Sequence, residues 1–159
     1  MNGSASATMA ENPAMDEQST LLATFYVRAA LCALDAARVQ EVIRLGAMTR
    51  VRRVSREILG IINLRGRIVT VLDAGLRMGF GPIEPTPESR VFIIEDRGEF
   101  IGLLVDRVGE VVELDAARLE PLPGNLSVVQ GRYLQGVYRA QGRVIALVQV
   151  EEIMSCQEA

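Results

Sequence analysis

Every basic side chain in this 159-residue sequence is an arginine: there are 17, against 20 carboxylates, with no lysine and no histidine. That inventory removes most catalytic chemistry. Without imidazole there is no base for a serine or cysteine nucleophile and no histidine-ligated metal. Without lysine there is no Schiff base and no phosphate-loop ammonium. Cys32 and Cys156 lie far apart, with none of the Cys-x-x-Cys spacing used for zinc or redox work. Carboxylate pairs alone can run acid–base catalysis, yet no two stand out as such a pair. Arginines can still recognise, because a planar guanidinium grips a carboxylate through two parallel hydrogen bonds. The chain reads as a binding module rather than an enzyme, with no metal and no cofactor expected.

The arginines are unevenly placed. From Gly46 to Arg67 there are six of them and one glutamate, net +5, which leaves −8 for the rest of a chain that totals −3. Arg50, Arg52, Arg53 and Arg56 form the densest part, a candidate electrostatic patch. A solvated loop and a surface that steers an acidic partner are both open readings.

The elements that position these residues are mostly strands. With 49% hydrophobic and 23% charged residues, the chain has material for a buried core. No apolar run approaches the roughly 18 residues of a membrane helix, so direct membrane insertion is not expected. Residues 1–20 read as a disordered leader and 155–159 as a frayed tail. Between them the apolar pattern has period two or short continuous runs, the signature of β-strands. Gly66, Gly98 and Gly142 each sit between two such runs, where a hairpin turn needs positive φ. Helix signals are few: one or two turns started by Asp73 and stopped by Gly79 or Gly81, short pieces near 35–39 and 115–120, and a last helix near 150–154.

Two blocks recur in order. Gly60–Asp73 is echoed 76 positions on by Gly136–Gln149, with Gly66 on Gly142 and Arg67 on Arg143. Ala37–Leu45 is echoed 69 positions on by Asp106–Leu114. Two copies are too few for a solenoid and indicate two similar β lobes. The Pro- and Gly-rich stretch 79–88 divides lobe one, about 21–80, from lobe two, about 89–154. Each lobe is marginal as an independent core, so the two are expected to share apolar surface and fold as one unit, 21–154.

Gly60-Ile-Ile-Asn-Leu-Arg-Gly-Arg-Ile, followed by Val-Leu-Asp, resembles the signature of CheW-like domains, the adaptors of bacterial chemosensory arrays. Val39-Gln-Glu-Val42, Thr49-Arg-Val51, Gly102–Asp106, Val108–Val111 and Tyr133–Gly136 match in the same order, so the likeness covers about 22–154. It implies an all-β fold of two intertwined five-stranded SH3-like barrels with a shared core and a few short helices. It also implies a non-enzymatic adaptor between a CheA-type histidine kinase and the cytoplasmic tip of chemoreceptors. On that resemblance the kinase-binding residues are Val39, Glu41, Val42, Asn63, Leu64, Arg65 and Gly66, with Glu41 the candidate partner of Arg65. The receptor-binding residues are Val105, Asp106, Val108, Glu110 and Val111, on the strand facing the groove between lobes.

Plainer readings stand beside these. Gly66 permits a turn whatever the function, Arg65 fits a solvated loop, and Val39, Val42 and Val105 fit a core. Two departures from the family pattern bear on partners more than on fold: the Arg-rich run replaces a short neutral segment, and Arg28-Ala-Ala30 replaces a Gly-rich first turn. The alternative function is nucleic-acid binding through segment 50–67. Aromatics at 4% argue against it, since such barrels stack bases on aromatic faces. The partners expected are the kinase regulatory domain and the receptor tip, not nucleic acid. Few cysteines and no secretory signal point to the cytoplasm, at membrane or cytosolic receptor arrays.

Overall fold

Neither half of the chain builds a sheet from its own strands alone. The computed structural model describes residues 19–50, 55–126 and 128–155, which carry eleven strands. In chain order these are β1 Ser19–Val27, β2 Ala30–Asp35, β3 Val39–Ile43, β4 Thr49–Arg50, β5 Ile58–Leu64 and β6 Arg67–Asp73. After helix α1 (Ala74–Met78) come β7 Arg90–Asp96, β8 Glu99–Val105 and β9 Arg107–Asp115, then α2 (Val128–Tyr133). The chain closes with β10 Leu134–Ala140, β11 Arg143–Val148 and α3 Val150–Met154. One sheet has the order β9-β1-β2-β11-β10 and the other β3-β7-β8-β6-β5-β4.

Setting aside the two-residue β4, the orders are the same arrangement twice. β2 runs parallel to β11 with Cys32 opposite Ala146, and β8 runs parallel to β6 with Ile101 opposite Thr70. Those pairs are related by the offsets of 69 and 76. Even the irregularities coincide: bulges fall at Val39/Glu41 and Val108/Val111, and at Ile58/Gly60 and Leu134/Gly136. The β1–β2 hairpin therefore sits with the last three strands of the second repeat, and the β7–β8 hairpin with those of the first. The stretch 79–88, read from sequence as the divider of two lobes, joins β6 to β7 inside one sheet. Pairing between distant strands decides this, and local periodicity carries no record of it. Two strand counts of five were expected; the second sheet has six because Thr49–Arg50 adds an edge.

Local chemistry explains the turns. Arg65-Gly66, Arg97-Gly98 and Gln141-Gly142 all have positive φ at both positions, the two-residue hairpin geometry that matches strand twist. The first hairpin instead turns at Arg28, with φ 58°. Ser19 and Thr20 already belong to β1. Apart from them and Ser155, the expected leader and tail lie outside the described residues.

One large cluster of buried side chains takes residues from both sheets. Phe25 of β1 meets Phe92 of β7 edge to face, centroids 5.1 Å apart, and both are fully buried. A smaller cluster (Leu22, Ala33, Leu114, Tyr138, Ile145, Leu147) fills the other face of the five-stranded sheet. The core is thus shared, as the marginal size of each half requires.

Asp73 fastens α1 to this core. It is buried, and its Oδ1 accepts the Leu76 N–H at 3.0 Å while Oδ2 accepts the Ile83 N–H at 3.0 Å. Gly79 ends the helix at φ 86°. Asp73→Ala removes the cap and strands a buried N–H, so unfolding free energy should fall by about 2–4 kcal/mol. Urea titration should show a lower midpoint with an unchanged slope.

Candidate docking surfaces

The Asn63–Arg67 hairpin presents Arg65 in a conformation that its own turn dictates. Arg65 has φ 52° and Gly66 φ 86°, and the Asn63 Oδ1 accepts the Gly66 N–H at 2.8 Å. From there the Arg65 guanidinium reaches Glu41 on β3 and forms an ion pair. In sheet order β3 is separated from the β5–β6 hairpin by β7 and β8, so the sheet must curl for its flanks to meet. The pair spans the resulting mouth. A pocket of about 410 Å³ opens there, lined by Gln40, Glu41, Leu64, Arg65, Arg67, Ile93 and Phe100. Arg67, which was not among the expected site residues, lies over the Phe100 ring at 4.2 Å.

All seven residues expected on this surface are exposed or half-buried. Asn63 and Gly66 are exposed, and Leu64 is half-buried. Val42 is 42% exposed and Ile68, on the same hairpin as Arg65, 62%. Val39 and Leu64, both half-buried, also pack against the large core cluster. Because the Arg65 side chain is 71% exposed, the pair adds only about 0–1 kcal/mol to stability.

The second expected surface is divided. Val105 is fully buried, which corrects its reading as a contact residue: every residue of β8 from Ile101 to Val105 is buried, so the strand faces protein on both sides. Asp106 turns the corner into β9. It donates its N–H to Tyr26 O at 2.9 Å and its carboxylate accepts the Arg28 N–H. Val108 and Val111 are 42% and 63% exposed on β9, an edge strand of the five-stranded sheet. The bulge between them carries Gly109, where a Cβ would come within 2.4 Å of Thr24 Oγ1. Glu110 projects outward, 3.9 Å from Arg143.

Of the candidate electrostatic patch, Arg50 and Arg56 are exposed, and Arg52 and Arg53 lie outside the described residues. The segment is anchored by a residue that sequence reasoning missed. Arg77 is buried in α1, donates to Glu57 Oε1 at 2.8 Å and stands 5.0 Å from the Tyr133 ring, while its Nε has no hydrogen-bond partner. A further arginine, Arg38, donates to Glu151 at 2.8 Å beside a pocket of about 290 Å³. That hydrogen bond holds the Glu151 carboxyl below its usual range. Among the described residues no three acidic or cysteine side chains gather as a metal site, and no helix is long and apolar enough to cross a membrane.

Residues 22–158 match a family model described as the CheW-like domain. The chemotaxis protein CheW of Rhizobium meliloti (strain 1021) is 30% identical over 101 residues, 64% of this chain and 65% of that protein, slightly under two thirds of its length. The chemotaxis protein CheW of Klebsiella aerogenes is 27% identical over 125 residues, covering 79% of this chain and 75% of the relative. Among solved structures, the scaffolding protein TtCheW from Thermoanaerobacter tengcongensis superposes with a TM-score of 0.74 at 31% identity, covering 82% of this chain and 88% of that one.

Two outcomes separate surface from core. Val105→Asp buries a charge and should cost more than about 4 kcal/mol, whereas Val111→Asp should stay within about 0.5 kcal/mol, both read by urea unfolding. Burial also pushes the Cys32 thiol up to about 12. Its neutral form stabilises the fold fully below the ordinary thiol value of about 8.5, and that stability is lost as pH rises toward the folded value. In a Cys156→Ser background, Cys32 should therefore resist a maleimide at pH 8 and react once urea unfolds the chain.

Proposed function

Because this chain belongs to the CheW-like domain family, we propose that it is a non-enzymatic adaptor of a bacterial chemosensory array, joining chemoreceptors to a CheA-type histidine kinase. The observation that carries this is the pair of separate, chemically different surfaces on one shared core. One is the Glu41–Arg65 mouth with Val42 beside it; the other is the bulged β9 edge with Val108, Glu110 and Val111. An adaptor works by holding two partners in a fixed relation, so that a change in one biases the populations of the other. A core that spans both sheets supplies the rigidity for that. The kinase regulatory domain takes the Glu41–Arg65 surface, and the receptor tip takes the β9 surface. Both encounters occur in the cytoplasm, at the receptor array.

The nucleic-acid reading gains nothing from the geometry. Phe25 and Phe92 are core, Phe100 lies under Arg67, and the Tyr26 face is covered by Arg107 at 3.8 Å. Among the described residues no bare aromatic platform accompanies Arg50 and Arg56.

Calorimetric titration of the full chain with the regulatory domain of the CheA-type kinase from the same genome tests the assignment. Saturable 1:1 binding is expected, and Arg65→Glu should weaken it by more than about 2 kcal/mol while the fold persists. Adding Glu41→Arg should restore part of the loss, as a double-mutant cycle resolves. If Arg65→Glu unfolds the chain, or kinase binding is absent in the native protein, the reading fails.

A further inference from the structure

Arg107 begins β9 directly opposite Tyr26 of β1, and its guanidinium lies 3.8 Å from the centre of that ring. The platform is itself held, since Arg143 donates to the Tyr26 hydroxyl at 3.2 Å. Stacking occupies only the flat face of a guanidinium and leaves its in-plane N–H donors pointing outward. Among the described residues no carboxylate lies within ion-pair distance of Arg107. Two nearby acids are engaged elsewhere, since Asp106 accepts from Arg28 and Glu110 faces Arg143, while Glu88 lines the same hollow without an ion pair to Arg107.

The outward donors border a cleft. A hollow of about 240 Å³ is lined by Glu88, Arg90, Arg107 and Val108. Arg90 belongs to the six-stranded sheet and Arg107 to the five-stranded one, so the cleft lies where the two sheets meet. Arg90 spends one nitrogen on the Pro87 and Ser89 carbonyls. Val108, itself exposed, also lines the hollow, and the exposed Val111 follows beyond the bulge. The site thus combines an apolar strip with a pre-oriented, unpaired fork.

We propose that Arg107, stacked on Tyr26 and assisted by Arg90, is a specificity-determining residue of the receptor-docking surface, recognising a carboxylate beside the apolar stripe of a chemoreceptor tip helix. This rests on the reading of β9 as the receptor surface. The apolar stripe seats on Val108 and Val111, and the acid takes the in-plane donors of Arg107. A rigid platform reduces the side-chain freedom lost on binding, which favours a stacked arginine over a free one.

The test measures binding of the full-length chain to the cytoplasmic signalling fragment of a chemoreceptor from the same genome, at low and high salt. Arg107→Glu should weaken that binding by at least about tenfold and flatten its salt dependence. Arg107→Lys keeps the charge but not the fork and should fall between; Tyr26→Leu, which removes the platform, should weaken binding severalfold. All three should bind the kinase regulatory domain as the native chain does, which also shows that they are folded. Reversing the responsible acid on the receptor to arginine should rescue Arg107→Glu. Native affinity in Arg107→Glu, with Val108→Asp and Val111→Asp defective, overturns the arginine's role while leaving the docking surface standing. Native affinity in all of them overturns the docking surface as well. Loss of both receptor and kinase binding in Arg107→Glu makes the residue structural and sinks the proposal.

Discussion

The exchange of N-terminal hairpins is the constraint on which everything else depends. Each sheet takes two strands from one repeat and at least three from the other, and Phe25 of one meets Phe92 of the other at 5.1 Å. A half of about 60 residues buries too little apolar surface to stand alone, and the exchange makes the two halves complete each other. Removing the β1–β2 hairpin would open both the large cluster and the smaller one, because Phe25 and Val27 face one and Leu22 faces the other. Two surfaces carried on such a core keep a fixed mutual geometry.

The same backbone devices then yield two faces with different chemistry. The offset of 69 relates Glu41 to Glu110 and Val42 to Val111, and the offset of 76 relates Ile68 to Val144 and Arg67 to Arg143. All four of these apolar residues are exposed, at 42%, 63%, 62% and 47%. The bulges beneath them fall at the same steps. What differs is the side chain at the hairpin tip. Arg65 reaches Glu41, but its counterpart Gln141 brings no charge, and Glu110 is left 3.9 Å from Arg143. Arg143 in turn props Tyr26, which stands where the other repeat has Glu95. One scaffold is thus differentiated by a few polar substitutions, which is how a duplicated fold comes to carry two unlike surfaces.

Features with local causes were legible. The turns at Gly66, Gly98 and Gly142, the Asp73 cap and the glycine stop, which falls at Gly79, follow from φ preferences and side-chain capping within a few residues, whereas the expected helix at 150–154 starts with no side-chain cap at Gln149. The Glu41–Arg65 pair was named from the family likeness, and the curl of the sheet brings it together. Helix α2 was not expected, for Val-Val-Gln-Gly-Arg-Tyr has poor helix formers. Its Tyr133 is buried, within reach of Arg77 from α1, so packing overrides propensity there. Val105 was ambiguous because a strand buried on both sides has no polar face to mark which way a residue points.

By itself the sequence determined which catalytic side-chain types are absent, where three hairpins turn, and that a β unit occurs twice. These depend on residue type and on neighbours a few positions away. The tertiary structure alone decided which strands share a sheet, that Arg77 is buried while Arg65 is not, and that Arg107 lies over the Tyr26 ring. Those outcomes join residues as far apart as Arg38 and Glu151, separated by 113 positions. Alternation along a strand states that faces differ, and only the partner strand states what each face meets.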